Sequence, residues 1–343
     1  MRKICVFFKW IIQTIIIVYI IIIVLLHLPV VQNVIGIGIS KAISEKLGTH
    51  VKIDQIELGF LNRIVINNMI IYDQRNYKML SAERLAFKVD VIPLIEKGCL
   101  SVSSVQLFGM KGIFYKPQKA PANYQFILDS LSSKDNSERS NFNLSIRNLI
   151  MRNCFLKYDR LGEPLRNYGF DLNHIRIENL SANLIINNIA HDTISAEVRS
   201  LSLKERSGFK LDRLGLKLFA DSKHAELSKV YIVTPYSKLL GANLDVYYCI
   251  EKGKLKKSSL RGKVKFNDAI ISTSDIRLFV PTLRYVNRRF SLSINSTYNV
   301  NRIKLSKFSL SSCDRSLFVK AKGELRLSPV SYTHLTLPTI CSV

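Results

Sequence analysis

From His50 onward apolar residues recur at every second position, and this alternation commits the chain to a protein built from sheets. It runs through VKIDQIEL, RIVINNMIIY, SVSSVQLFG and LSIRNLIM, and returns in FSLSINSTY and RIKLSKFSL. A strand sends successive side chains to opposite faces, so alternation marks one face turned to water and one turned from it. In Phe290 to Tyr298, Phe290, Leu292 and Ile294 alternate with Ser291, Ser293 and Asn295. Leu201 and Leu203, Leu216 and Leu218, and Val264 and Phe266 obey the same rule. With turns every ~10 to 12 residues between such segments, the expected architecture is mostly β, an antiparallel meander.

Helical signals after Leu47 are brief. Ser81 to Phe87, Ile92 to Lys97 and Tyr124 to Leu131 carry them, and the last runs into the polar stretch SSKDNSERSN, which places a loop over 132–143. The β-rich chain is thereby divided into a first segment over 49–131 and a longer one over 144–329. So few helices cannot cover the apolar faces of the strands. A second sheet, closure into a barrel, or a ligand has to cover them.

The N-terminal region follows a different rule. Between Lys9 and Lys41 there is no Asp, Glu, Lys or Arg, and Ile11 to Leu28 is apolar except for Gln13, Thr14 and His27. Crossing a bilayer takes ~20 such residues. A cleaved secretory signal has an apolar stretch of only ~7 to 15 residues ending at a small-residue site, which LHLPVVQ does not supply. The expectation is an uncleaved transmembrane helix over 10–29, with Ile11, Ile15, Ile16, Tyr19, Ile22, Leu25 and Leu26 among its lipid-facing residues. Arg2, Lys3 and Lys9 precede it, so the positive-inside rule puts the 1–9 tail in the cytoplasm and the bulk of the chain across the membrane. A helix inserted in the first membrane it meets also argues against an outer-membrane barrel.

Just beyond Pro29, Val31, Val34, Ile35, Ile39, Ala42, Ile43 and Leu47 recur at spacings of three and four, which predicts an amphipathic helix over 30–48 stopped by Gly48. The G-I-G at Gly36 to Gly38 lacks the preceding strand and third glycine of a dinucleotide fingerprint.

Composition narrows function further. Lys and Arg number 50 against 26 Asp and Glu, a formal net charge of +24, yet the cations are spread through the strands instead of gathered on one helix or stacking platform. Nucleic acid is therefore not an expected partner. Lys41, Lys46 and Lys52, just beyond the membrane segment, are candidates for contact with anionic headgroups, at ~1 kcal/mol each near a charged surface. Cys5, Cys99, Cys154, Cys249, Cys313 and Cys341 form no CxxC and read as small buried residues. His50, His174, His191 and His224 are scattered, and read as surface or satisfied strand residues. None of the motifs G-x-S-x-G, S-D-N with K-T-G, or H-E-x-x-H occurs, so neither an enzyme nor a metal or cofactor is expected.

The segments LPVVQNVIGIGISKAISEKLGTHVKIDQIELGFLNRIVINNMIIYD, AERLAFKVDVIPLIEKGCLSVSSVQLFG and PANYQFILDSL resemble the N-terminal part of TamB-like proteins, within the wider AsmA-like group. The most specific portions are Leu47, Gly48, Val51 and Ile53 in LG-x-x-V-x-I, and Leu58 to Ile64 with Ile66 in LGFLNRI-x-I. The resemblance covers about Lys3 to Leu131, and the remainder agrees in strand-rich character only. It implies an inner-membrane subunit of the translocation and assembly module, reaching through the periplasm toward an outer-membrane barrel partner. It further implies an elongated, folded-over β-sheet with an apolar groove, linked to phospholipid passage between membranes or to assembly and secretion of outer-membrane proteins. Groove-lining positions are then Leu201, Leu203, Leu216, Leu218, Phe290, Leu292 and Ile294. The alternative is a scaffold whose sandwiches close on themselves and whose edge strands bind clients by strand addition.

Members of that family are usually much longer and end in a C-terminal domain. The tail VSYTHLTLPT, Val330 to Thr339, breaks the strand pattern and resembles an in-frame transposase adapter used in sequencing libraries. Residues 330–343 are accordingly expected to be non-native.

Overall fold

In the computed structural model the alternation becomes strand through most of the chain. The structure describes residues 10, 13–14, 16–21, 24–25, 28–59, 62–90, 100–132, 142–190, 193–251, 254–300 and 302–326. The chain divides into two compact units, Met1–Ile146 with Arg152–Gly162, and Arg147–Met151 with Glu163–Val343.

The first unit contains helix α1 (Pro29–Leu47), strands β1 (Val51–Gly59), β2 (Arg63–Tyr72), β3 (Lys78–Asp90), β4 (Leu100–Phe108) and β5 (Lys111–Lys116), and helix α2 (Gln125–Ser132). Strands β1 to β4 are antiparallel neighbours in chain order. β5 lies antiparallel to the start of β3 and parallel to the second half of β6 (Phe142–Arg160).

Pro29 opens α1, where a missing N–H is harmless, and Gly48 closes it at φ 64° with its N–H donated to the Ser44 carbonyl. Ile35, Ile39, Ile43 and Leu47 pack on a core of Val51, Ile53 and Ile56 from β1, Ile66, Met69 and Ile71 from β2, and Met79, Ala82 and Leu85 from β3. Each such aliphatic side chain contributes ~1.5 to 3 kcal/mol when fully buried, which makes this packing the main support of the unit. Two serines tie the helix to the sheet: Val51 N–H donates to Ser44 Oγ at 3.0 Å, and Ser40 Oγ donates to the Val51 carbonyl. Buried Gln32 accepts from Gln55 Nε2 at 3.2 Å.

Beneath β2, buried Asp73 accepts from the N–H groups of Arg75 and Tyr77, each at 2.9 Å, and from the Tyr115 hydroxyl at 2.7 Å. Burial pushes its carboxyl pKa up, but those hydrogen bonds outweigh burial and hold it below the ordinary value. The Tyr115 hydroxyl is correspondingly raised, by burial first and then by its bond to Asp73. Asn123 completes the knot, accepting from Tyr115 N–H and donating to the Ile113 carbonyl.

The second unit is a nine-strand antiparallel meander in chain order: β7 (His174–Ala190), β8 (Thr193–Glu205), β9 (Lys210–Asp221), β10 (His224–Val233), β11 (Lys238–Tyr247), β14 (Arg261–Ser272), β15 (Arg289–Asn299), β16 (Arg302–Ser312) and β17 (Phe318–Arg326). A short hairpin, β12 (Ile250–Glu251) and β13 (Lys254–Leu255), sits between β11 and β14 in sequence, and the four-residue helix α3 (Thr273–Ile276) follows β14. Aspartates hold two of the turns. Asp171 accepts from Asn173 N–H just before β7 begins at His174, and Asp221 accepts from Lys223 and His224 N–H between β9 and β10.

Several expectations need correction. Ser81 to Phe87 lies within β3, not a helix. β3 is paired on both sides and buries residues on both faces, so Ala82, Leu85, Ala86 and Val89 imitate helical spacing. Val34 and Ala42 do not share the packed face of α1: both are exposed. Phe142 and Asn143, placed in the loop, belong to β6, while 133–141 and Ile92 to Lys97 lie outside the described residues. The repeat of strand plus turn is longer than expected, since β9, β10 and β11 start at Lys210, His224 and Lys238. Cys154 is buried as expected, but Cys313 is exposed in the turn after β16. The helix over Tyr124 to Leu131 is present as α2.

Of the expected membrane helix, Ile16, Tyr19 and Leu25 are helical and exposed, whereas Ile11, Ile15, Ile22 and Leu26, the charges Arg2, Lys3 and Lys9, and all of 330–343 lie outside the described residues. Among the described residues no helix is long and apolar enough to cross a membrane.

Candidate functional site: an apolar ladder across the second unit

Register places like with like across the nine strands. Ile186 on β7 pairs with Ala196 on β8, Ala196 with Leu218 on β9, Leu218 with Leu227 on β10, and Leu227 with Leu244 on β11. The series continues from Leu244 to Val264 on β14, Ser296 on β15, Leu305 on β16 and Gly323 on β17. A parallel row two residues away runs Ile194, Ala220, Ala225, Val246, Gly262, Tyr298, Ile303, Leu325. β-Bulges keep the apolar sets aligned where strand lengths differ: one lies between Val198 and Leu201, another between Phe266 and Ala269.

The row between these two belongs to the opposite face, because neighbours in a strand alternate. It reads Ser195, Phe219, Glu226, Asp245, Lys263, Thr297, Lys304, Glu324. Opposite charges meet there across strands, as Asp245 with Lys263 and Lys304 with Glu324, and Lys217 Nζ lies 3.7 Å from Glu197 Oε2. The sheet of this unit thus has one apolar and one charged face.

All seven positions expected to line an apolar groove fall on the apolar rows. Leu216 pairs with Val198, Leu201 with Ala182 and Leu214, and Leu203 with Leu211. Phe290 pairs with Ile271, Leu292 with Ala269 and Leu310, and Ile294 with Phe266 and Phe308. None of the seven is fully buried; each is partly exposed. The buried apolar residues of this unit are few among those described: Leu180, Ala182, Leu211 and Ala269. A closed sandwich would bury these rows as thoroughly as α1 buries the sheet of the first unit, where Ile56 is 1% exposed. In the second unit the described apolar face has no comparable cover.

The lysines expected at a headgroup layer are exposed. Lys41 and Lys46 lie on α1, and Lys52 on β1 pairs with Asp54 at 3.3 Å. A stripe missed by sequence reasoning accompanies them: Val30, Val34 and Ile37 are 74, 65 and 68% exposed and share the face of α1 turned from the sheet. Its signal was in the sequence, since α1 is apolar on more positions than one packed face needs. No family model and no curated protein matches the chain.

Proposed function

We propose that the chain is a membrane-anchored, β-rich protein whose second unit carries acyl chains along its apolar rows. On this reading Ile11 to Leu28 spans the bacterial inner membrane with the N-terminus cytoplasmic, and the strands stand in the periplasm. Its work is passage of phospholipid between membranes, or the assembly and secretion of outer-membrane proteins with an outer-membrane barrel partner, as in the TamB-like proteins that its N-terminal part resembles. No residue acts as a catalyst.

The observation that carries the reading is the partial exposure of mainly apolar rows that run across nine strands. Contiguous exposed apolar surface is costly in water and marks a surface meant to be covered. An acyl chain leaving a bilayer for water loses ~0.8 kcal/mol per methylene, so a continuous apolar path lowers a barrier that free diffusion does not cross at a useful rate. The exposed stripe of α1, directly after the apolar segment, supports docking of the first unit on the membrane surface, with Lys41 and Lys46 toward the headgroups.

A second reading has its own observation. Among the described residues β17 is paired only on its β16 side, and Phe318, Val319 and Leu325 on it are exposed. Such an edge accepts an extended client by strand addition without carrying lipid.

Photo-crosslinking residues placed singly from Phe290 to Asn295, and at Val319 and Leu325 on β17, in the membrane-expressed protein separate the two. Capture of phospholipid at Phe290, Leu292 and Ile294, with little between them, is the expected result. Absence of lipid at every position, with protein captured at β17, overturns lipid carriage in favour of the scaffold.

A further inference from the structure

On the charged face of the second unit two like charges also meet across strands. Glu226 on β10 and Asp245 on β11 stand directly opposite each other. Like charges in that position repel and destabilise a sheet. Beside them, two residues before Glu226 and on the same face, lies His224, and one ligand atom from each of the three side chains falls within 4.8 Å of the others.

His224 is held in a way that aims it at this cluster. Its ring stacks on Tyr247 with centroids 4.3 Å apart and planes inclined by 14°, and its backbone N–H is fixed by Asp221. Its Nε2 is shielded from solvent and has no hydrogen-bond partner, and Asp245 Oδ1 is 3.8 Å away. A buried polar nitrogen without a partner is costly, and 3.8 Å is beyond hydrogen-bonding reach. It is close, however, to the separation of two atoms bound to one small ion, about 3.4 Å for tetrahedral bonds of ~2.1 Å.

We propose that His224, Glu226 and Asp245 form a site for a divalent transition-metal ion of the zinc class. One imidazole and two carboxylates suit such an ion, and the two carboxylates neutralise its charge. The ion joins β10 to β11 and relieves the repulsion between Glu226 and Asp245. Lys263, opposite Asp245 on β14, is the competing cation for that carboxylate. The fourth position is left to water. This site is on the charged face and does not depend on lipid carriage by the other.

The test uses the full chain in detergent micelles, titrated with Co2+ and then with Zn2+. The expected result is a visible Co2+ absorption band saturating at one equivalent, lost on addition of Zn2+, with affinity reduced at least tenfold in His224→Ala and in Asp245→Asn. Binding in His224→Ala as tight as in the unaltered chain overturns the site. Because a variant can fail to fold, the unaltered chain is also followed by the imidazole resonances of His224 during the Zn2+ titration. Saturation of their shift at one equivalent supports coordination. Unmoved His224 resonances overturn it.

Discussion

Leu218 on β9 stands directly opposite Leu227 on β10, and both side chains remain partly exposed. A cross-strand leucine pair inside a core would be sealed from water. This one therefore contributes contact between strands while leaving part of the transfer free energy of its methyl groups unrealised.

The contrast with the first unit is measurable. Ile56→Ala, at a fully buried position under α1, is expected to cost about 2 to 4 kcal/mol, because a cavity is added to the lost transfer energy. Leu218→Ala is expected to cost less than about 1.5 kcal/mol, because solvent fills the space. Hydrogen exchange read strand by strand checks both. Equal loss of protection in the two variants would mean that the apolar rows are sealed.

Gly215 on β9 faces Tyr231 on β10, and a Cβ at this glycine would collide with the tyrosine ring, whose hydroxyl donates to the Arg199 carbonyl. Here the absence of a side chain serves close approach. Gly215→Ala is expected to destabilise the second unit by about 1 to 3 kcal/mol through overpacking. Tyr231→Ala in the same chain should return part of that loss, and a double-mutant cycle on urea midpoints reads the coupling.

How far this could be read from sequence depends on what each residue needed. The alternation in Phe290 to Ile294 names the apolar face of one strand, because period two is a local property. Opposing Leu218 to Leu227, or Glu226 to Asp245, requires register, and register is set by bulges such as the one between Ser228 and Tyr231 that no periodicity announces. β3 was misread for a related reason: a strand covered on both faces loses its alternation, and Ala82, Leu85, Ala86 and Val89 fall into helical spacing. His224 and Glu226 on one face were legible as H-x-E in a strand. Only the return of β11 brings Asp245 to them, so the histidine alone read as a satisfied side chain.

Acid should act on the first unit through Asp73. Its pKa in the folded chain lies below the ordinary value of 3.8, so its bonds to Tyr115, Tyr77 and Arg75 stabilise the fold fully above that value. The contribution is lost as pH falls from about 4 through the lowered folded pKa, where the unfolded chain already binds the proton. Asp73→Asn is expected to be less stable at neutral pH and to show a flatter acid limb. Thermal melts between pH 2.5 and 7, followed by hydrogen exchange in β2 and β5, check this.

The outward stripe of α1 gives a spatial prediction about the membrane. A polarity-sensitive fluorophore on a cysteine at Val34 or Ile37 should shift to the blue in anionic vesicles and be quenched by lipids labelled high on the acyl chain. At Lys111, exposed on β5 and off the helix, neither change is expected. Identical spectra at Val34 and Lys111 would remove the helix from the bilayer surface.

The apolar ladder itself can be broken at one rung. Leu244 lies between Leu227 and Val264, half-exposed, in the middle of the series. A carboxylate introduced there stays hydrated while the face is open, so Leu244→Glu is expected to cost the fold less than about 1 kcal/mol. An acyl chain laid across it strips that water, and an unpaired charge buried against hydrocarbon costs several kcal/mol. The variant should therefore keep its circular dichroism and hydrogen-exchange pattern while phospholipid capture at Leu227 and Val264, the residues flanking the rung, falls at least tenfold. Leu244→Met, which keeps the surface apolar, should behave as the unaltered chain. If Leu244→Glu captures lipid as well as Leu244→Met does, the ladder is not the path. If both variants capture none while an extended client still binds β17, the strand-addition scaffold accounts for the protein instead.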